Sequence, residues 1–378
     1  MKVGIDTFAC RPGTSGVGVY LIQLLKRIPA SGTQFELFGW DYDRFSLSEV
    51  AKNMNFVPQG FIRGDTANQL WHLLKYPRFA RESKYDVCFF PVAHKRLSYG
   101  SPCPAVGTVH DMAAYWGTRK TREHLGAILR VILPNALRRL DRIIAVSGWI
   151  KQELVNVINI APSAIEVVPN GVDLQDFYPR KKTDESMVFI QPFSFKRPYI
   201  LYAARLEHPV KNHLKLIKAF EIFKERTKFP HRLVFTGSNS RGADKIKEAV
   251  ATSASRSDIF ITGTFPSKSL PELYSGADFV VIPSLYEGFG QSAIEAMACG
   301  VPVACANAAS LPETAEHAAL YFDPHDSEDM ADRMVSLASD RSLNKELRAA
   351  GLERAKFFSW DTCMERTLKI IMETAGAA

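Results

Sequence analysis

Short, almost wholly apolar runs alternate along the chain with longer stretches of helical period. In the first half the runs are KVGI (2–5), FELFGW (35–40), DVCFF (86–90), AVGTV (105–109), RIIAV (142–146) and IEVV (165–168). Continuous rather than alternating apolarity is the pattern of parallel strands covered on both faces. Between them, Val17 to Ile28, Ala67 to Arg81 and Thr121 to Leu140 carry helical spacing.

After the turn dipeptide Asn170-Gly171 the chain becomes polar and proline-containing, through DLQDFYPRKKTDES and then QPFSFKRP, without a clear period. Such a stretch reads as a linker, with a domain boundary near residue 180. The alternation then restarts with strands YILYAA (199–204), RLVFTG (232–237), DIFITG (258–263), DFVVIPS (278–284), VPVACA (301–306) and ALYFD (319–323). Helices are expected near 212–226, 241–253, 268–276, 291–299, 326–339 and 342–357. Strand–helix alternation in both halves predicts an α/β chain of two doubly wound, Rossmann-like domains facing each other. Ligands of such sheets bind beyond the carboxyl ends of the strands, so the cleft between the domains is the expected site.

Composition narrows this picture. With 46% hydrophobic and 23% charged residues the chain is globular, and no apolar run approaches the ~18–20 residues that cross a bilayer. Asp6 interrupts the first apolar stretch, unlike the uncharged core of a secretory signal, which points to the cytoplasm. Cys10, Cys88, Cys103, Cys299, Cys305 and Cys363 lack CxxC or regular spacing, which argues against disulfides or structural zinc. The net charge of +7 is concentrated at Lys75, Arg78, Arg81, Arg119, Lys120, Arg122, Arg130, Arg138, Arg139 and Arg142. A phosphorylated substrate or an anionic membrane fits this surface, and a solvated basic face explains it equally. No nucleic-acid module accompanies it, so nucleic acid is not the expected partner.

Candidate chemistry is concentrated in four places. In Ser284-Leu285-Tyr286-Glu287-Gly288-Phe289-Gly290-Gln291 a strand gives way to a glycine-containing turn and then a helix carrying Glu295. The glycines admit a ligand close to the backbone, and amides at the helix start suit an anionic diphosphate. Arg205 follows a strand and Lys211 precedes the next helix, a pair of cations fit to neutralise a departing diphosphate. The loop Arg11-Pro12-Gly13-Thr14-Ser15-Gly16-Val17-Gly18 opens a helix after the first strand. Its glycine order is G-x-x-G-x-G, not the G-x-G-x-x-G of dinucleotide sites, which sets a dehydrogenase aside. Lastly, His110-Asp111 ends a strand, where site residues collect; Asp111 either orients the imidazole or caps the following turn.

The span from Glu287 to Glu295 resembles the Glu-x7-Glu signature of the large group 1/family 4 class of retaining glycosyltransferases with the GT-B fold. Arg205-Leu206 with Lys211-Asn212, the Gly16 loop, Gly107-Thr108-Val109-His110-Asp111, Val168-Pro169-Asn170-Gly171 and Leu311-Pro312-Glu313 resemble further marks of that family. The resemblance implies that Glu287 and His110 contact the transferred sugar and that Glu295 holds the nucleotide ribose. It implies that Arg205 and Lys211 bind the donor phosphates, with Gly16 and the Gly288, Phe289, Gly290 and Gln291 turn beside them. It also implies that the base lies against Gly237 and the Gly263 to Phe265 segment, and that the helix opened by Phe358-Ser359-Trp360-Asp361 returns to the first domain. The domains are then 1–180 plus 360–378 on the acceptor side and 181–359 on the donor side. Gln291 and Ser292 depart from the Pro and Leu or Val of many relatives, beside the sugar. Asp41-Tyr42-Asp43 spells the DXD metal motif of the other large glycosyltransferase fold, but stands apart from every other mark and reads as a surface turn.

Gly4-Ile5-Asp6, the Gly16 loop and Leu311 to Pro324 look most like mannosyl and rhamnosyl transferases of bacterial surface polysaccharides. The expected reaction is hexosyl transfer with retention, without metal or cofactor, from a nucleotide sugar, GDP-mannose first and UDP- or dTDP-sugars next. The acceptor is a saccharide or lipid-linked saccharide. A nucleotide-sugar epimerase of the same fold and an inactive binding protein are the alternatives.

Overall fold

The computed structural model describes residues 1–8, 10, 16–29, 32–52, 54–60, 65–95, 98, 100–113, 127–180, 187–190 and 193–376. The chain divides into two units, Met1–Gly171 with Trp360–Ala378, and Val172–Ser359. Arg11 to Ser15, Arg119, Lys120, Arg122 and positions 181–186 of the expected linker lie outside the described residues.

The first unit is built on a parallel sheet of β1 (Lys2–Asp6), β2 (Gln34–Gly39), β3 (Asn55–Pro58), β4 (Val87–Phe90), β5 (Ala105–Val109), β6 (Arg142–Ala145) and β7 (Ile165–Val167). Their order is β3-β2-β1-β4-β5-β6-β7, so growth of the sheet reverses between β1 and β4. Its central strands β4 and β5 are continuously buried, in keeping with their apolar runs, and Val3, Ile5, Leu37, Val87, Phe89 and Ile144 join one core. The Trp360–Gly376 helix returns to this core through Trp360, Cys363, Met364 and Ile371, and Arg27 Nε donates to Asp361 Oδ1 at 2.8 Å.

The second unit holds a parallel sheet after a hairpin. The hairpin strands β8 (Met187–Ile190) and β9 (Phe193–Lys196) are antiparallel. The sheet comprises β10 (Tyr199–Ala203), β11 (Arg232–Thr236), β12 (Ile259–Ile261), β13 (Phe279–Ile282), β14 (Val303–Ala306) and β15 (Ala319–Phe322). Its order is β12-β11-β10-β13-β14-β15, with the reversal between β10 and β13. Such reversals open a crevice at the strands' carboxyl ends.

Several expectations are corrected. The stretch QPFSFKRP (191–198), read as aperiodic, holds β9, which pairs antiparallel with β8 and at four residues is too short for a period to register. The boundary falls after Gly171 rather than near 180. Val172 N–H donates to the Phe358 carbonyl at 3.0 Å, and Ser275 Oγ to the Tyr178 carbonyl at 3.2 Å, so this segment belongs to the second unit. The pattern over 67–81 is two helices, Asp65–Leu74 and Tyr76–Ser83, the second with Pro77 in its first turn. Asp41-Tyr42-Asp43 is no surface turn but opens the Asp41–Leu47 helix, and Asp43 is buried with the Thr7 hydroxyl 3.5 Å away. The β3 edge strand passed unnoticed because it is short and ends in proline.

Gly237 shows how tightly the ends of β10 and β11 meet. Its φ is +149°, and a Cβ there would stand 2.1 Å from the Ala204 carbonyl oxygen. Gly237→Ala is therefore expected to lose more than ~3 kcal/mol of stability in denaturant unfolding. Wild-type stability would show that these loops separate freely.

Candidate active site

In the second unit the candidate residues collect at the reversal between β10 and β13. The loop after β10 is tied to the loop after β11: Leu206 N–H donates to the Ser238 carbonyl at 3.0 Å and His208 N–H to the Arg241 carbonyl at 2.9 Å. It ends at Asn212, whose φ is +56°. Nδ2 of Asn212 donates to the carbonyls of Pro283 (3.0 Å) and Pro324 (2.8 Å), and Leu285 N–H donates to the Val210 carbonyl at 2.9 Å. These bonds carry Lys211 to the end of β13. There Lys211 Nζ donates to Glu287 Oε1 at 2.7 Å, each side chain 15% exposed.

The same carboxylate oxygen accepts from Ser284 Oγ at 2.7 Å. The Tyr202 hydroxyl lies 2.8 Å from Ser284 Oγ and donates to the Lys211 carbonyl at 2.9 Å. Burial pushes this phenol well above its usual range, so it stays neutral. The turn is braced from behind, where Ser310 Oγ donates to the Glu287 carbonyl at 2.8 Å and Thr314 Oγ1 donates to the Phe289 carbonyl. Gly290, at φ +92°, precedes the Gln291–Ala298 helix and brings no side-chain oxygen to its first amides. A helix start of this kind favours anions.

Glu295 sits within that helix and accepts from the Tyr274 hydroxyl at 3.1 Å and from the Gln291 side chain. Burial outweighs both hydrogen bonds and raises its carboxyl to about 7. Arg205 stands apart from the Lys211–Glu287 pair. It is 59% exposed and pairs with Glu207 at 2.9 Å. Phe265 is buried near the end of β12, where Gly237 N–H donates to the Gly263 carbonyl at 2.9 Å. Phe289 is buried edge-on against Phe358, their centroids 5.5 Å apart.

In the first unit His110 follows β5, and Nε2 donates to the Pro91 carbonyl at 2.8 Å. That bond and the edge of Tyr20, 4.5 Å between centroids, orient the ring. Asp111 instead accepts from Ala113 N–H, so of its two expected roles it takes the cap. Burial lowers His110 to about 4, more than the Pro91 bond raises it, and leaves the imidazole neutral at physiological pH. Gly16 opens the Gly16–Leu25 helix in an exposed position, and a Cβ there would meet nothing within 4 Å. The chain's own packing therefore does not require glycine at 16.

Two domain models match, "Glycosyltransferase Family 4" over residues 14–176 and "Glycosyl transferases group 1" over residues 184–354. The O-antigen chain mannosyltransferase B of Escherichia coli is 30% identical over 97% of this chain and 98% of its own. The chain belongs to the group 1/family 4 glycosyltransferases. The serotype-specific mannosyltransferase WbdA of Escherichia coli is 29% identical over 59% of this glycosyltransferase, matching 27% of that longer protein. Among solved structures, Anabaena HepE in complex with UDP and glucose is similar with a TM-score of 0.76 and 17% identity, over 98% of this chain and 99% of that one. The two wound units are thus those of the GT-B architecture.

Sequence reasoning missed the groups that hold the site residues in this glycosyltransferase. Tyr202 sits in a strand read only as apolar, and Ser284, Ser310 and Thr314 carry no charge pattern. His94 was also missed: its Nδ1 accepts from His110 N–H at 3.5 Å, and burial lowers it well below the usual histidine range. Its signal was its place just beyond β4, beside the reversal of the first sheet. Lys211→Met strands the Glu287 carboxylate, and should cost about 3–5 kcal/mol in denaturant unfolding. Adding Glu287→Gln should recover about half of that loss; a strictly additive double variant would contradict the pairing.

Proposed function

We propose that this glycosyltransferase moves a mannosyl group from GDP-mannose to a saccharide or lipid-linked saccharide acceptor in surface-polysaccharide synthesis. In this reading the anomeric configuration is retained and no metal ion or cofactor takes part. The Lys211–Glu287 pair beside a helix start carries the reading, because a cation and a carboxylate stand together where a diphosphate is attracted. The choice of mannose rests on the likeness to the Escherichia coli mannosyltransferases.

In this account Glu287 and His110 hold the transferred sugar. Lys211, Arg205 and the amides of Gly288 to Gln291 take up charge on the departing diphosphate. Glu295 accepts the ribose hydroxyls, and Gly237 and Phe265 border the base. The bond from the anomeric carbon to the phosphate oxygen breaks while the bond to the acceptor oxygen forms on the same face. The acceptor's hydroxyl proton passes to the leaving phosphate, so no enzyme nucleophile is needed. A trapped sugar–enzyme adduct would contradict this route.

Calorimetric titration with nucleotides and nucleotide sugars, without added metal, tests the donor. Selective binding of GDP and GDP-mannose, weakened in Glu295→Ala, is expected. Consumption of donor with release of an epimerised sugar would favour an epimerase, and binding of none would favour an inactive member of the fold.

The raised Glu295 carboxyl adds a pH dependence. Its carboxylate is the form that accepts ribose hydroxyls, and it is fully populated only above its value of about 7. GDP affinity should therefore fall about tenfold between pH 8 and pH 6. Glu295→Gln should bind weakly with no such slope, and a wild-type affinity level across this range would contradict the ribose assignment.

A lipid-linked acceptor places the enzyme at the cytoplasmic face of a membrane, and the surface of the first unit supports contact there. Leu70 and Leu74, 50% and 70% exposed, lie one helical turn apart, and exposed Lys75 and Arg81 follow them. Apolar and cationic groups together suit an anionic bilayer. Binding to phosphatidylglycerol vesicles, reduced by Leu70→Ser with Leu74→Ser and by salt, is the expected sedimentation result. Equal binding to phosphatidylcholine, or none, would contradict a membrane contact of this kind.

A further inference from the structure

The turn bearing Glu287 is held by a segment that is itself under constraint. Ser310 and Thr314, which grip the carbonyls of Glu287 and Phe289, lie between two non-glycine residues in left-handed backbone, Ala309 at φ +51° and Glu316 at φ +46°. Such conformations cost on the order of 1–3 kcal/mol each and persist only where surroundings enforce them. Between them the Leu311–Ala315 helix is a single short turn, whose last carbonyls have no partners within the helix.

Arg354, from the Arg341–Ala355 helix, supplies those partners. Its Nε donates to the Thr314 carbonyl at 2.9 Å and its Nη2 to the Glu313 carbonyl at 2.8 Å. The same Nη2 lies 2.8 Å from Glu316 Oε1, with the Arg354 side chain only 13% exposed. The guanidinium also stands over the Phe358 ring, 4.9 Å from its centroid, and Phe358 abuts Phe289. One planar cation thus holds both sides of the brace: the Thr314 backbone whose hydroxyl grips Phe289, and the ring against which Phe289 packs. Lysine can match the charge at this position but not the fork.

We infer that Arg354 is a positioning residue for sugar transfer. Without contact with donor or acceptor, it holds the 310–316 segment so that the Glu287–Gly290 turn keeps its carbonyls turned back and the Glu287 carboxylate toward the transferred sugar, which GDP lacks. This rests on the function proposed above. Glu295 is held instead by the Tyr274 hydroxyl and the Gln291 side chain, so nucleotide affinity and sugar transfer should separate.

The test combines steady-state transfer from GDP-mannose, GDP titration and thermal unfolding for wild type, Arg354→Met, Arg354→Lys, Thr314→Val and the Arg354→Met, Thr314→Val double variant. Arg354→Met is expected to lower turnover ~10-fold or more while GDP affinity stays within about twofold. Arg354→Lys should recover part of the loss. The double variant should be little worse than Arg354→Met alone, since both changes release the same turn. A folded Arg354→Met enzyme with normal turnover, or additive losses in the double variant, would overturn the inference. Thr314→Val probes the same turn should Arg354→Met fail to fold, and normal turnover in it would equally overturn the inference. Absence of transfer by the wild type itself would instead overturn the donor assignment, and this inference with it.

Discussion

An ion pair of 2.7 Å between Lys211 and Glu287 joins the loops that leave β10 and β13, the two strands between which the second sheet reverses. Neither group could be left half-buried alone without a penalty of several kcal/mol, so each specifies where the other's loop must lie. The surrounding bonds serve this pairing. Asn212 anchors the lysine's loop to the carbonyls of Pro283 and Pro324, Tyr202 and Ser284 complete the hydrogen bonding, and Ser310 and Thr314 hold the turn from behind. Built this way, the crevice keeps a cation, a carboxylate and a helix start together before any ligand arrives, which is the preorganisation that electrostatic catalysis requires.

The two units set their titratable groups differently. Glu295, buried against Tyr274, is raised to about 7, within reach of physiological pH. His110 is lowered to about 4 and its Nε2 is committed to the Pro91 carbonyl, so it acts as a neutral, oriented ring.

Much of the fold was legible because its central strands are buried on both faces and appear as unbroken apolar runs, as in Tyr199–Ala203 and Phe279–Ile282. The glycine-bearing turn at Glu287 was legible for a local reason, as consecutive residues pass from strand to turn to helix. What escaped depends on contacts distant in sequence. Nothing in the run after Gly171 announces that Val172 bonds to Phe358, and nothing in Asp41-Tyr42-Asp43 announces that Asp43 is buried near Thr7. Arg205 and Lys211 looked equivalent as cations near a strand end, yet one is enclosed with Glu287 and the other is exposed beside Glu207. Arg354 lies 40 residues from the Thr314 carbonyl it holds, and no periodicity links them.

The central claim is that the Lys211–Glu287 site transfers a hexosyl group with retention, and NMR of the transferred product tests it most directly. GDP-α-mannose and a mannose-bearing acceptor should yield an α-linked product with wild type, and Glu287→Gln should yield almost none while still binding GDP. A β-linked product, or undiminished transfer by Glu287→Gln, would contradict the account.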